Sequence, residues 1–246
     1  MSMAEIEELM TRVINLFSDW FPTHAILKGG MELRLADCPR FTNDLDYVFI
    51  PFKSKTEIKD KVLEALCSLR DTSVTLSVHS KCLRYVIYQN ENRIQIEINT
   101  AENCSSEPMS TASLVEKTGL PVKIIRVMSW DVALAHKLTA WNERNLIRDL
   151  YDASFMYSVL NVRPDLLTLK DRLSKVSYRI KKVGTVKSMT IEQFIEKLRS
   201  SVVGITQSDV EGELRDFFPP DQLPGLQKRI SVGINSIVNW IENCDH

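Results

Sequence analysis

Ile26–Leu35 reads ILKGGMELRL, and Arg40–Phe49 reads RFTNDLDYVF. In the first stretch an apolar run enters paired glycines and resumes as a helix start at Met31. In the second, a polar loop leads through Asp44-Leu45-Asp46 into a strand, Asp46–Ile50, stopped by Pro51. An apolar run, a glycine turn, a helix start and a strand open a mixed α+β domain.

Upstream, Ala4–Trp20 carries Ile6, Met10, Val13, Ile14 and Phe17 at helical spacing. Downstream, Lys55–Leu69 is helical, with Ile58, Val62, Leu66 and Leu69 on one face. Strands are predicted at Val74–Val78, Leu83–Tyr88, Arg93–Ile98 and Val122–Val127. Arg93–Ile98 alternates, Ile94, Ile96 and Ile98 against Arg93, Gln95, Glu97 and Asn99. This half is expected to hold four or five strands. Past residue 128 the periodicity is helical, with helices predicted at 130–144, 147–160, 164–181, 191–202, 207–217 and 226–242. The expectation is an α+β chain: a mixed-sheet core over 1–127, then a helical region, 128–246.

Composition narrows the function classes. The 246 residues are 44% hydrophobic and 26% charged, with a net charge of −1, which excludes a disordered chain and a uniformly basic binder. Five scattered cysteines without a C-x-x-C argue against a disulfide framework, and four histidines cannot build a His-rich zinc site. The start, MSMAEIEELM, is acidic and amphipathic, unlike a secretory leader. No apolar run reaches the roughly 20 residues that span a bilayer. A cytoplasmic protein without a membrane partner is expected.

Three features carry chemistry. Gly29-Gly30 is either a plain turn or a place where backbone N–H groups approach a phosphate. Asp44 and Asp46 are either a solvated loop pair or, at i and i+2, carboxylates on one strand face that repel unless a cation lies between them. Mg²⁺ accepts such oxygens and keeps places for substrate phosphates. Glu97 is either a surface residue of its strand or the third carboxylate that a two-metal site requires.

The order of these features resembles the nucleotidyltransferases of the DNA polymerase β superfamily, and more closely the AbiEii/AbiGii toxin nucleotidyltransferases. The resemblance rests on Ile26–Leu35, Arg40–Phe49, IQIEI at Ile94–Ile98 and DVALAHKLTAWNERNLIRDLYD at Asp131–Asp152, and covers roughly residues 24–160. It implies a nucleotidyltransferase core followed by a helical region that completes the active-site cleft. It implies Gly29 and Gly30, with Lys28, at the triphosphate, and Asp44, Asp46 and Glu97 on two Mg²⁺ ions. Met31 stands where the superfamily often has Ser or Thr, and Glu97 where many relatives have Asp. Lys137 and Asp149 are implied in catalysis. Lys137, Arg144 and Arg148 are implied at the nucleotide, sharing a helix face if the helix continues. Pairing of Lys137 or Arg144 with Asp149 between helices is a compatible reading.

The implied reaction moves a nucleoside monophosphate from an NTP to an acceptor hydroxyl of RNA, specifically tRNA, in the toxin of a toxin–antitoxin or phage-defence pair with a cognate antitoxin. The rival readings are transfer to a small molecule, as in aminoglycoside-modifying relatives, transfer to a protein hydroxyl, and a catalytically silent binding module. From 163 to 187, eight cations (Arg163, Lys170, Arg172, Lys175, Arg179, Lys181, Lys182 and Lys187) face only Asp165 and Asp171. That stretch is either a solvated face or an RNA-steering surface.

Overall fold

The computed structural model describes residues 3–244 except 81, 117, 176, 177, 181–183 and 187. The chain divides into two compact units, Met1–Ser129 and Trp130–His246.

The first unit runs α1 (Met3–Trp20), β1 (Ala25–Lys28), α2 (Gly30–Leu35), β2 (Asp44–Phe49), α3 (Thr56–Cys67), β3 (Ser73–Val78), β4 (Leu83–Gln89), β5 (Asn92–Thr100), β6 (Ser106–Ser110), α4 (Ala112–Val115) and β7 (Ile124–Met128). One mixed sheet has the order β3-β4-β5-β2-β1-β7-β6. The pairs β2/β5 and β1/β7 are parallel and the others antiparallel. Among the described residues this sheet has seven strands, against the four or five expected. The unforeseen β6 contains Pro108 and sits at the sheet edge, where a missing N–H costs no ladder bond.

Alternation decides which face is buried. Leu45, Tyr47 and Phe49 of β2 join Ile94, Ile96 and Ile98 of β5 in a core that includes Leu9, Val13 and Phe17 of α1. The Phe17 ring lies 5.0 Å from Tyr47 and 5.8 Å from Phe49. Each such fully buried side chain contributes about 1.5–3 kcal/mol relative to exposure. A shift of register by one residue would bring Asp44 and Asp46 to that core, so burial of one face fixes the other as polar.

The second unit holds α5 (Trp130–Arg144), α6 (Ile147–Ser158), α7 (Leu166–Lys175), a strand pair β8 (Tyr178–Ile180) and β9 (Gly184–Val186), α8 (Ile191–Gly204), α9 (Gln207–Leu214), a 3₁₀ turn at Pro220–Gln222 and α10 (Leu226–Cys244). The helix predicted at 164–181 therefore ends at Lys175 and gives way to strands. Asn145 has φ of 53° and ends α5, so the helix does not continue to Arg148. Thr190 caps α8 as Thr190/Gln193 spacing suggests, accepting the Gln193 N–H at 3.3 Å. At the crossing of α6 and α10 a Cβ on Gly233 would stand 3.1 Å from Ser154 Cα, so glycine permits the close approach.

Candidate active site

The sheet of the first unit lines up four charged residues in one rung. Lys28 of β1 is in register with Asp46 of β2, Asp46 with Glu97 of β5, and Glu97 with Arg84 of β4. Read across neighbouring strands, roughly 4.8 Å apart, the order is plus, minus, minus, plus. Asp44 lies one pleat along on the same face, in register with Gln95. Three carboxylates from two separate places in the sequence thus share one polar sheet face because the other face is apolar.

The outer charges engage the inner ones. Lys28 Nζ is 3.8 Å from Asp46 Oδ1, and Arg84 Nη2 is 2.7 Å from Glu97 Oε1. The Cys82 thiol also hydrogen-bonds Glu97; burial first, then this carboxylate, pushes its pKa up. Asp44 takes its position from a local loop bond, its backbone N–H donating to Thr42 Oγ1 at 3.2 Å.

The glycines are required by geometry. Gly29 has φ of 82° and ψ of −142°, a region that side chains resist. A Cβ there would stand 2.7 Å from Asp46 Oδ2. The glycine thereby keeps that carboxylate oxygen uncovered. A Cβ on Gly30 would meet Arg40 Nη2 at 2.9 Å and Thr42 Oγ1 at 3.0 Å. The Gly29 N–H donates to Glu32 Oε2 at 3.1 Å, so this amide is engaged within the chain. Phosphate contact there requires exchange with the Glu32 carboxylate.

The donor set suits a hard divalent ion: all oxygens, on one face, beside a cradle that a Cβ would fill. Among the described residues, no three or more His, Cys, Asp or Glu side chains stand ready to hold an ion by themselves. Mg²⁺ is ordinarily held by one or two carboxylates together with substrate phosphates, so a complete protein cage is not required.

The second unit carries the other implied residues. Lys137 Nζ lies 2.6 Å from Asp152 Oδ2 and 3.8 Å from Asp149 Oδ1. Arg144 donates from Nε to Asp149 Oδ2 and from Nη2 to Asp149 Oδ1, each at 2.6 Å. Both aspartate side chains are fully buried, and Lys137 is 13% exposed. Two helices are thus joined by two carboxylates and two cations, the interhelical pairing that spacing allowed. Asp152, one turn after Asp149, is the nearer partner of Lys137. Arg148 stands apart from the pairing, its guanidinium 5.7 Å from the Phe217 ring centre.

Several cations of the 163–187 stretch have partners within this unit. Arg163 lies over the Tyr157 ring at 4.0 Å, Arg172 donates to Thr139 Oγ1 at 2.9 Å, and Lys175 pairs with Asp171 at 2.5 Å. Lys181, Lys182 and Lys187 lie outside the described residues. Among the described residues no helix is long and apolar enough to cross a membrane.

A family model described as the nucleotidyl transferase AbiEii toxin of a type IV toxin–antitoxin system matches residues 16–231. No curated protein matches. Among solved structures, JHP933 from Helicobacter pylori aligns with a TM-score of 0.56 at 17% identity, covering 99% of this chain and 95% of that one. A structure of a proposed nucleotidyltransferase from H. pylori aligns with a TM-score of 0.55 at 16% identity, covering 98% of this chain and 97% of that one. At such identities the likeness is one of fold.

Proposed function

The chain belongs to the AbiEii nucleotidyltransferase toxin family, and from that premise we propose that it moves a nucleoside monophosphate from an NTP to a hydroxyl of RNA, with tRNA the acceptor. The observation that carries this reading is the rung Lys28–Asp46–Glu97–Arg84 with Gly29 against Asp46. Asp44, Asp46 and Glu97 hold the divalent ions, and Gly29 and Gly30 admit the triphosphate. Mg²⁺, when bound, neutralises triphosphate charge and lowers the pKa of the attacking hydroxyl.

The acceptor oxygen forms a bond to the α-phosphorus. The bond from that phosphorus to the bridging oxygen of the β-phosphate breaks, and pyrophosphate leaves with the electron pair. The hydroxyl proton passes to a carboxylate of the set Asp44, Asp46 and Glu97. Lys137, held by Asp149 and Asp152, serves the same reaction by neutralising phosphate charge, with Arg144 fixing Asp149. The excess of eight cations over two carboxylates at 163–187 favours a polyanionic acceptor. The protein acts as the toxin of its pair in the cytoplasm, opposed by a cognate antitoxin.

The test is incubation with each α-labelled NTP, Mg²⁺ and total RNA. Label is expected in a tRNA-sized species. Label in protein, or only in an added aminoglycoside, would replace the acceptor and keep the reaction. No labelled product with any acceptor would favour the silent binding module.

A further inference from the structure

Arg84 has the most direct hold on the site among residues to which the sequence assigned no role. It donates to Glu97 Oε1 from Nε at 3.0 Å and from Nη2 at 2.7 Å. Gln95 Nε2 reaches the same oxygen at 3.2 Å. A guanidinium meeting a carboxylate commonly takes both oxygens, fork to fork. The chain does this elsewhere, where Arg144 spans Oδ1 and Oδ2 of Asp149. At Glu97, by contrast, all three of these donors converge on Oε1. Arg84 and Gln95 thus hold the carboxylate by Oε1 and leave Oε2 outside their arrangement, with the Cys82 thiol a further partner of the same carboxylate.

We propose that Arg84 is a positioning residue for the ion-binding carboxylates, holding Glu97 by Oε1 so that Oε2 serves the divalent ion. The inference rests on the metal-dependent reading above. It makes a claim of sign. Arg84 is a cation, so charge alone says that its removal tightens binding of another cation. Orientation says the reverse, because hydrogen-bonding partners of a ligand set its geometry and their loss costs about 10–100-fold in metal affinity. The Arg84 side chain is 38% exposed, so truncation opens no core cavity.

The experiment is Mn²⁺ titration of the full chain, followed by electron paramagnetic resonance, for the wild type, Arg84→Met and Arg84→Lys. The Mg²⁺ dependence of nucleotide transfer is measured beside it. Arg84→Met is expected to bind Mn²⁺ about 10–100-fold more weakly and to need correspondingly more Mg²⁺ for half-maximal rate. At saturating Mg²⁺ its kcat should approach that of the wild type. Arg84→Lys, with one compact donor in place of the planar fork, should fall between the two. Equal or tighter Mn²⁺ binding by Arg84→Met overturns the inference while leaving the metal-dependent reading intact. A wild type that binds no Mn²⁺ and transfers nucleotide without Mg²⁺ overturns both. If Arg84→Met does not fold, Arg84→Lys decides alone, and wild-type affinity in it overturns the inference.

Discussion

Asp46 and Glu97 stand directly opposite one another in the parallel pairing of β2 and β5, two carboxylates side by side on the polar face of the sheet. Like charges so placed destabilise a strand pair. Lys28 and Arg84, on the outer strands of the same rung, moderate that cost. A site that gathers two acids and then brackets them with bases is suited to exchanging part of its charge balance with a divalent ion and a triphosphate.

Gly29→Ala should damage both stability and the site. The backbone conformation at 29 alone costs about 1–3 kcal/mol for a residue with a side chain. The new Cβ would in addition press on Asp46 Oδ2. Urea unfolding should show the loss, and nucleotide transfer should fall with it. An alanine variant with wild-type stability and activity would contradict the reading of this turn.

The lysine between the two aspartates of α6 gives a second test. Lys137→Met takes away an ammonium 2.6 Å from a fully buried Asp152 carboxylate. Breaking such a pair costs about 3–5 kcal/mol, and Lys137→Met with Asp152→Asn should recover much of it. Transfer should stay lost in the double variant, because the lysine is assigned to the reaction as well as to the packing. Recovery of transfer together with stability would reduce Lys137 to a structural residue.

The α6–α10 crossing can be tested apart from any chemistry. Gly233→Ala should destabilise by about 1–3 kcal/mol through overpacking against Ser154. Ser154→Gly in the same chain should return part of that, as measured by thermal unfolding. No cost in the single variant would mean that the helices yield more readily than their spacing indicates.

How much of this was legible in the sequence depended on how local each signal was. Alternation in Arg93–Ile98 put Glu97 on the polar side of β5, and the same argument put Asp44 and Asp46 together on β2. The glycine pair was legible as a turn, but its need for an absent Cβ comes from Asp46, seventeen residues away in the chain. Arg84 was passed over because its importance lies in register: only the antiparallel pairing of β4 with β5 sets it opposite Glu97. β6 was hidden by its polar, proline-bearing edge sequence. The predicted helix at 164–181 rested on apolar spacing that ran on past Lys175, although the chain there turns into a short strand pair. Arg148 would share the face of Lys137 and Arg144 only if the helix ran on, and the backbone at Asn145 breaks it, in keeping with the separate helices predicted at 130–144 and 147–160.

The central claim is that the carboxylates of β2 and β5 form an ion site for nucleotide transfer. The most direct measurement is transfer of label from an α-labelled NTP by Asp44→Asn and Asp46→Asn at saturating Mg²⁺, with melting temperature recorded for each. Both variants should remain folded, and relief of repulsion should leave their melting temperatures at or slightly above that of the wild type. Transfer should fall by about 100-fold or more, the scale on which loss of one preorganised electrostatic group is felt. Wild-type transfer by either folded variant would contradict the assignment.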